Sequence, residues 1–274
     1  MRLALAQVVT GYEAEDNLKI VAEQARKAAD AGADLVQFPE ATMRAFGYPL
    51  TDVAEPLDGP WANGVRKVAE DTGIVVVAGM FEPGRDSSGG RDGERQRVRN
   101  TLIATGRGVD TSYTKIHLFD AFGFAESDTV EPGEEPITFD LAGTTVGLTI
   151  CYDLRFPKLY AESARAGASV ILASASWGAG KGKVAQWDLL ARARALDSTS
   201  FVSACGQADP STIGVELRGA APIGVGHSLV AGPTGETIDS LGAEPGLLVV
   251  DIDPTEVDGV RAKIPVLQNA RLGY

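Results

Sequence analysis

The chain has 274 residues, of which 44% are hydrophobic and 23% charged, a composition typical of a soluble globular protein. Its formal net charge of −12 argues against a nucleic-acid partner, because phosphate binding depends on Lys and Arg. Two cysteines, two histidines and no Cys-x-x-Cys pattern predict neither a disulfide framework nor a metal site. No apolar run approaches the roughly 20 residues of a membrane span, so we expect a cytoplasmic protein with a reduced thiol and no membrane partner.

Apolar runs alternate with segments of helical periodicity along the first half of the chain. The predicted strands of this half are residues 3–9, 33–40, 74–82, 98–106 and 109–115. The predicted helices are residues 17–32 and 61–73. The polar, glycine-rich segment Gly84–Arg99 lies between two predicted strands, which indicates a long surface hairpin loop.

The second half of the chain continues the alternation of strands and helices. Its predicted strands are residues 144–150, 168–176, 201–208, 226–232 and 246–253. Its predicted helices are residues 156–167, 184–200 and 254–264. Strand–helix units mixed with consecutive strands favour two sheets sandwiched between helices over one doubly wound parallel sheet. Because no Pro/Gly/Ser linker divides the chain, residues 1–274 are predicted to form a single α/β domain.

Cys151 stands where a predicted strand ends and a helix soon begins. In open α/β sheets ligands collect at such carboxyl ends of strands. A helix N-terminus or a cation there lowers the pKa of a thiol and favours the nucleophilic thiolate. The alternative is an inert structural cysteine, since free Cys is among the most buried residue types. That alternative is our prediction for Cys205, which lies in the middle of a strand.

A nucleophilic thiol needs a base, and neither His117 nor His227 comes with a recognisable Asn or Asp that would orient it. Glu40 closes a mostly apolar strand, a costly position for a carboxylate unless function requires it. Lys115 ends another strand in the same way and would supply a cation to an oxyanion. Singly, such strand-end charges are most often solvated. Together with Cys151 they suggest a shared site, although their spacing does not show that they meet.

Three segments of the chain strongly resemble the nitrilase superfamily of carbon–nitrogen hydrolases. They are LVQFPEA around Glu40, YTKIHLFD around Lys115 and GLTICYDLRFP around Cys151, in the superfamily's Glu, Lys, Cys order. Weaker similarity extends along nearly the whole chain. Within the superfamily, KIHLFD and CYDLRFP most resemble the branch that holds omega-amidase and the deaminated-glutathione amidases.

This resemblance implies a four-layer αββα sandwich that forms a homodimer and uses no metal or organic cofactor. It implies that Glu40 is the general base, Cys151 the nucleophile and Lys115 the cation that stabilises the tetrahedral intermediate. The backbone N–H of Tyr152 would assist Lys115, and Glu126 matches a further glutamate that helps to orient the substrate and the lysine. The implied reaction converts a small-molecule amide substrate into a carboxylic acid and ammonia through a thioester.

The loops that follow the motifs are expected to set substrate preference. We hypothesise that Arg44, Arg155 or Lys181 binds a carboxylate of the substrate, because each lies near a motif residue or the Trp177 loop in sequence. Each is equally compatible with a structural or solvated role. The predicted apolar walls of the pocket are Phe119, Phe122, Phe124 and Trp177.

The motifs leave the reaction open among related chemistries. The same thiol is suited to attack on a nitrile, and hydrolysis of an N-carbamoyl group is a third possibility. A catalytically idle binding or scaffold subunit is the alternative from a different functional class. The presence of Glu40, Lys115 and Cys151 together argues against it, since a non-catalytic protein has no chemical need for this set.

Overall fold

A computed structural model describes residues 1–85, 96–121, 123–215 and 221–271 of the chain. Its first half contains the strands β1 (Arg2–Gln7), β2 (Leu35–Gln37), β3 (Val75–Pro83), β4 (Val98–Gly106) and β5 (Val109–Thr114). The helices of this half are α1 (Ala14–Asp30) and α2 (Pro60–Thr72). A short hairpin follows, made of β6 (Asp120–Ala121) and β7 (Phe124–Ala125).

The second half repeats this mixture of elements. Its strands are β8 (Thr138–Leu141), β9 (Thr144–Ile150), β10 (Val170–Ala175), β11 (Phe201–Gly206), β12 (Leu229–Ala231), β13 (Thr237–Ser240) and β14 (Gly246–Asp251). Its helices are α3 (Pro157–Arg165), α4 (Lys183–Ser198), α5 (Glu256–Lys263) and α6 (Val266–Asn269). Most of the predicted strands and helices are therefore confirmed, with boundaries that shift by a few residues.

The first six-stranded sheet has the order β14-β1-β2-β3-β4-β5. Strands β1, β2 and β3 are parallel, whereas β4 is antiparallel to both β3 and β5. Two reversals of direction between β3 and β5 make β5 run the same way as β2. The carboxyl ends of β2 and β5 consequently lie at the same edge of this sheet.

The second six-stranded sheet has the order β13-β12-β11-β10-β9-β8. Its central strands β9, β10 and β11 are parallel, and β8 and β12 pair antiparallel with the outer two of them. The sequence did not predict β8 or β13. Both are short edge strands, and β13 is exposed along its whole length, so neither carries the apolar run that marks a buried strand.

The two sheets pack face to face, and helices cover them on the outside. On β1, Leu3 and Leu5 contribute to the core between the sheets, whereas the alternate residues Ala4 and Ala6 pack in the layer formed with α1 and α2. Helices α3 and α4 pack on each other, and α4 packs on the second sheet, where Trp187 is fully buried. The predicted four-layer αββα sandwich is confirmed.

The predicted hairpin between residues 84 and 99 lies only partly within the described ranges. Strands β3 and β4 pair antiparallel up to Pro83 and Val98, as a hairpin requires. Residues 86–95 of the predicted loop lie outside the described ranges. Among the helices that the structure describes, none combines the length and apolar composition needed to cross a membrane.

Candidate active site

Four strand ends converge where the two sheets meet. Glu40 follows β2 by three residues and Lys115 directly follows β5, so both lie at the same edge of the first sheet. Cys151 and Ser176 directly follow the parallel strands β9 and β10 of the facing sheet. This edge gathers residues that are far apart in the sequence, because strand order rather than chain order decides which strand ends are neighbours.

The chain turns sharply after β2 to point Glu40 into this edge. Ala41 adopts the left-handed region with φ of 57°, which is uncommon for a residue other than glycine. Gly79 on β3 leaves room for residues 39–41 to pass close to its backbone, because a Cβ there would lie 2.8 Å from the Ala41 nitrogen and 2.9 Å from the Pro39 oxygen. Any side chain at position 79 would therefore displace the segment that carries Glu40.

The Glu40 carboxylate accepts three hydrogen bonds. Lys115 Nζ donates to Oε1 at 2.9 Å and Asn100 Nδ2 donates to the same oxygen at 2.8 Å. The backbone N–H of Ser176 donates to Oε2 at 2.9 Å. Since Glu40 and Lys115 are only 1% and 2% exposed, these contacts take the place of water around the two charges.

Glu126 holds the lysine from its other side. It begins a 3-10 helix after the β6–β7 hairpin, and its Oε1 and Oε2 lie 3.0 and 2.9 Å from Lys115 Nζ. The backbone N–H of Phe119 also donates to Oε2 at 2.7 Å. Burial disfavours the ammonium, but the charges of Glu40 and Glu126 outweigh that effect and raise the pKa of Lys115 well above 10.5. Lys115 is therefore a fixed cation between two carboxylates.

Cys151 is the first residue of the 3-10 helix Cys151–Arg155 and has a strained φ of 47°. Its Sγ lies 3.8 Å from the carbonyl oxygen of Ser176, the residue whose N–H holds Glu40. Burial raises the pKa of this thiol well above 9.0, Glu40 raises it further and Lys115 opposes them. The expected lowering of the thiol pKa is thus wrong, because desolvation and a nearby carboxylate outweigh the cation.

A buried carboxylate, Asp153, fastens the turn at Cys151 to the segment around Lys115. Tyr113 Oη donates to it at 2.8 Å, and Ile150 N–H donates at 2.9 Å. The N–H of His117 and its ring Nδ1 lie 3.1 and 2.7 Å from Asp153 Oδ1. Tyr113 and His117 stand two residues before and after Lys115, so hydrogen bonds connect the chain on both sides of the lysine to the turn at Cys151.

The structure thus gives His117 an orienting Asp that the sequence did not reveal. Its partner, Asp153, lies 36 residues away in the chain, beyond the reach of a local motif. The His117 ring also stacks on Phe156, with centroids 3.7 Å apart and planes 6° apart. These contacts fix the His117 ring between Asp153 and Phe156, beside the turn at Cys151.

Tyr152 follows Cys151 as the second residue of its 3-10 helix, where a backbone N–H precedes the first intrahelical hydrogen bond. Its ring contacts Phe119 and Phe156 edge to face, with centroids 5.1 and 5.3 Å apart. Trp177 is buried and its Nε1 donates to the Lys183 carbonyl at 3.0 Å. Three aromatic rings and an indole thus line the approach to Cys151.

The three cations proposed to bind a substrate carboxylate lie in different environments. The Arg155 guanidinium lies over the rings of Tyr152 and Trp177, 5.9 and 5.5 Å from their centroids, and Nη2 donates to Gln186 at 2.8 Å. Lys181 is exposed on the loop before α4. Arg44 is buried, with Nε and Nη1 donating to the carbonyls of residues 12 and 49 at 2.9 Å. Phe122, which was predicted to form a wall of the pocket, lies outside the described residues.

Sequence reasoning missed three residues that shape the site: Asn100, Asp153 and Ser176. The only signal for Asn100 was its place on β4 beside β5, where the N–H of Lys115 donates to its carbonyl at 2.8 Å. Ser176 acts through its backbone, which no motif of side chains reveals. In the described ranges no three His, Cys, Asp or Glu side chains surround a possible metal position.

The amino-acid sequence matches the family model of carbon–nitrogen hydrolases over residues 2–262. It is 56% identical to Hydrolase MT0498 of Mycobacterium tuberculosis over 98% of this chain and 95% of that protein. It is 31% identical to omega-amidase NIT2 of Mus musculus, again over 98% of this chain and 95% of the relative. These matches extend through all four strand ends described above.

The fold is shared with solved amidases of the same superfamily. One structure of the Nesterenkonia sp. AN1 amidase is 27% identical, with a TM-score of 0.77, and covers 99% of this chain and 96% of that chain. A variant of that amidase carries the acetamide moiety of fluoroacetamide on its active-site cysteine. It is 27% identical with a TM-score of 0.78, over 99% of this chain and 94% of that chain. Sequence and fold together place this chain in the carbon–nitrogen hydrolase family, within the nitrilase superfamily.

Proposed function

We propose that this chain is an amidase that hydrolyses a small amide to a carboxylic acid and ammonia, with Cys151 as its nucleophile. The observation that carries the proposal is Lys115, a buried cation held between Glu40 and Glu126 beside the Cys151 thiol. Two carboxylates and an ammonium are costly to bury, and a stable fold has no need of them at a strand edge. The covalent adduct on the active-site cysteine of the Nesterenkonia amidase supports the assignment of the nucleophile.

The first half of the reaction starts from a neutral thiol, because the pKa of Cys151 is raised. Glu40 accepts the thiol proton as sulfur attacks the carbonyl carbon of the amide, and the carbonyl oxygen becomes an oxyanion. Lys115 Nζ and the N–H of Tyr152 stabilise that oxygen. When the C–N bond breaks, Glu40 returns its proton to the departing nitrogen, which leaves as ammonia, and the acyl group remains as a thioester.

The second half of the reaction hydrolyses the thioester and reuses the same groups. Glu40 accepts a proton from water as the water oxygen attacks the acyl carbon, and Lys115 again faces the oxyanion. Collapse breaks the C–S bond, releases the carboxylic acid and returns the proton to sulfur. Glu126 pairs with Lys115 while Glu40 holds the proton, and in the resting site the charges of both carboxylates raise the pKa of Lys115 well above 10.5.

We further propose that the substrate carries a carboxylate and that Arg155 binds it. Arg155 lies over Tyr152 and Trp177, which flank the nucleophile turn, and no Asp or Glu pairs with it among the residues that the structure describes. A half-buried guanidinium without an acidic partner is suited to bidentate binding of a carboxylate. Arg44 is occupied by backbone carbonyls and Lys181 is solvated, so both are weaker candidates.

The test of the reaction is ammonia release from short aliphatic amides, carboxylated amides such as succinamate, matched nitriles and N-carbamoyl amino acids. Cys151→Ala is the control for every substrate. We expect turnover of amides that disappears in the variant, and faster turnover of carboxylated amides. Turnover of nitriles or N-carbamoyl compounds alone would replace the amidase proposal. Silence with every substrate would leave the idle scaffold as the better description.

The test of the substrate carboxylate compares Arg155→Met with Lys181→Met. We expect Arg155→Met to raise KM for the carboxylated amide by about 10- to 100-fold, the worth of a charge-assisted pair. Its kinetics with a neutral aliphatic amide should change little, and Lys181→Met should resemble the wild type with both substrates. Equal effects of Arg155→Met on the two substrates would contradict this role.

A further inference from the structure

We infer that Asn100 is a positioning residue for the general base: with Lys115 it saturates Oε1 of Glu40, so that Oε2 alone exchanges protons with Cys151. This inference rests on the proposed function, and it extends that proposal by assigning the proton transfer to one oxygen of the carboxylate. It starts from the hydrogen bonds that Glu40 accepts.

An ionised carboxylate offers about two acceptor positions on each oxygen. Oε1 of Glu40 receives Lys115 Nζ at 2.9 Å and Asn100 Nδ2 at 2.8 Å, which fills both of its positions. Among the nitrogen donors of the described part of the chain, the Ser176 N–H alone donates to Oε2, at 2.9 Å. One acceptor position therefore stays open, and it belongs to Oε2.

The backbone of Ser176 places this open position on the side of the nucleophile. Its N–H donates to Oε2 of Glu40, while its carbonyl oxygen lies 3.8 Å from Cys151 Sγ. The Cys151 thiol and the Glu40 carboxylate interact directly through a side-chain hydrogen bond. Because Ser176 contacts both Oε2 and Sγ, we assign this bond to Oε2, whereas Oε1 accepts from Lys115 and Asn100. The remaining titratable groups of the cluster are Lys115, after β5, and Glu126, which contacts Lys115 from the 3-10 helix.

The orientation of the Asn100 amide follows from its neighbour. Asn100 is fully buried, and a carboxylate only accepts, so the amide must present Nδ2 to Glu40. The other end of the amide, Oδ1, has no hydrogen-bond partner in the described structure. A buried unpaired acceptor destabilises a fold, and an apolar side chain of the same size would avoid that cost. The fold alone thus gives no reason for an amide at position 100.

The test is the pH dependence of Cys151 alkylation by iodoacetamide, a reaction that needs proton removal from the thiol but no substrate. In Asn100→Leu, Glu40 loses a hydrogen bond that stabilises its charged form, so the acidic limb of the rate profile should move to higher pH by about one unit. In Asn100→Asp, which conserves the size of the side chain, an added negative charge should move the limb further. With an amide substrate, kcat should fall about tenfold while KM changes less than about twofold.

The matched control is Thr101→Val, the next residue on β4. Thr101 Oγ1 donates at 2.7 Å to Oε1 of Glu82, a buried carboxylate that belongs to no catalytic group. Thr101→Val should lower the melting temperature and leave the pH profile in place. Profiles of Asn100→Leu and Asn100→Asp that overlay the wild type would overturn the inference, as would an equal shift in Thr101→Val.

The two proposals fail separately. If the wild-type chain turns over no amide but its alkylation profile moves in the Asn100 variants, the role of Asn100 stands and the amidase proposal fails. If amides are turned over and neither profile moves, the amidase proposal stands and the role of Asn100 fails. If circular dichroism shows that Asn100→Leu does not fold, the isosteric Asn100→Asp variant is used for the test. Cys151→Ala measures the background alkylation at other residues.

Discussion

The two cysteines of this chain share a raised thiol pKa but lie in different surroundings. Cys205 lies within β11, fully buried, with its Sγ 3.6 and 3.4 Å from the carbonyl oxygens of residues 6 and 37. Burial raises its pKa, as burial raises the pKa of Cys151. A raised thiol pKa therefore does not tell the two sites apart.

The difference lies in what surrounds each sulfur. Cys151 stands at a strand end, beside the carboxylate of Glu40 and the ammonium of Lys115. Within the described ranges the polar contacts of Cys205 are carbonyls and a serine hydroxyl, and none of these groups can carry away a proton or balance an anion. Under the proposed mechanism, the reactivity of Cys151 depends on a nearby proton acceptor and cation rather than on a thiolate formed in advance.

The largest expected effect comes from making the same substitution at both sites. Cys151→Ser should lower kcat/KM for an amide by at least about 10³-fold, because serine is a weaker nucleophile than cysteine at this position. Cys205→Ser should keep activity within about threefold, since its hydroxyl finds carbonyl acceptors nearby. Steady-state ammonia release from both variants measures the contrast, and similar losses at the two positions would show that it is wrong.

Glu40→Gln should make the surroundings of Cys151 resemble those of Cys205. The amide accepts no proton at neutral pH, so amide turnover should fall by about 10²- to 10⁴-fold and alkylation of Cys151 should slow with it. Glu82→Gln is the matched control, because Glu82 is a buried carboxylate of the same sheet that pairs with Arg99 at 2.7 Å. It should affect stability alone, and slower alkylation in this control would contradict the assignment of Glu40 as base.

Lys115→Met removes the cation beside Cys151. Turnover should fall by about 10²-fold or more, and the free energy of unfolding by roughly 3–5 kcal/mol at pH 7, because two buried carboxylates lose their counter-charge. Protonation of either carboxylate relieves the repulsion, so the variant should regain stability toward pH 5. Urea unfolding at the two pH values measures this, and a deficit that does not depend on pH would contradict the charge argument.

The smallest expected effect concerns the buried Cys205 thiol at alkaline pH. The pKa of Cys205 is raised in the folded chain above its ordinary value of 9.0, so the folded state holds this proton where the unfolded state loses it. Stability from this group is complete below pH 9 and falls as pH rises above it, by up to about 1.4 kcal/mol per pH unit. Cys205→Ala should show a shallower alkaline loss of unfolding free energy than the wild type, and parallel curves would refute this.

The sequence predicted the residues at the centre of the site because each one ends a recognisable strand. Glu40, Lys115 and Cys151 all interrupt an apolar pattern, and their segments match one family in order. The sandwich of two sheets was predictable on the same basis, from the alternation of strand and helix patterns. The edge strands β8 and β13 were not, because β8 is only four residues long with two apolar residues and β13 is exposed along its whole length.

Only the tertiary structure decided which side chains meet at this edge and in what state. Asn100 reaches Glu40 through the strand order of the first sheet, whereas Ser176 and Asp153 reach the site across the interface between the two sheets. Local periodicity predicts neither arrangement. The sequence suggested a lowered thiol pKa at Cys151, whereas burial and the Glu40 charge raise it. A local pattern thus determined where each chemical group stands on its strand, but desolvation and charge pairing exist only once distant strands pack together.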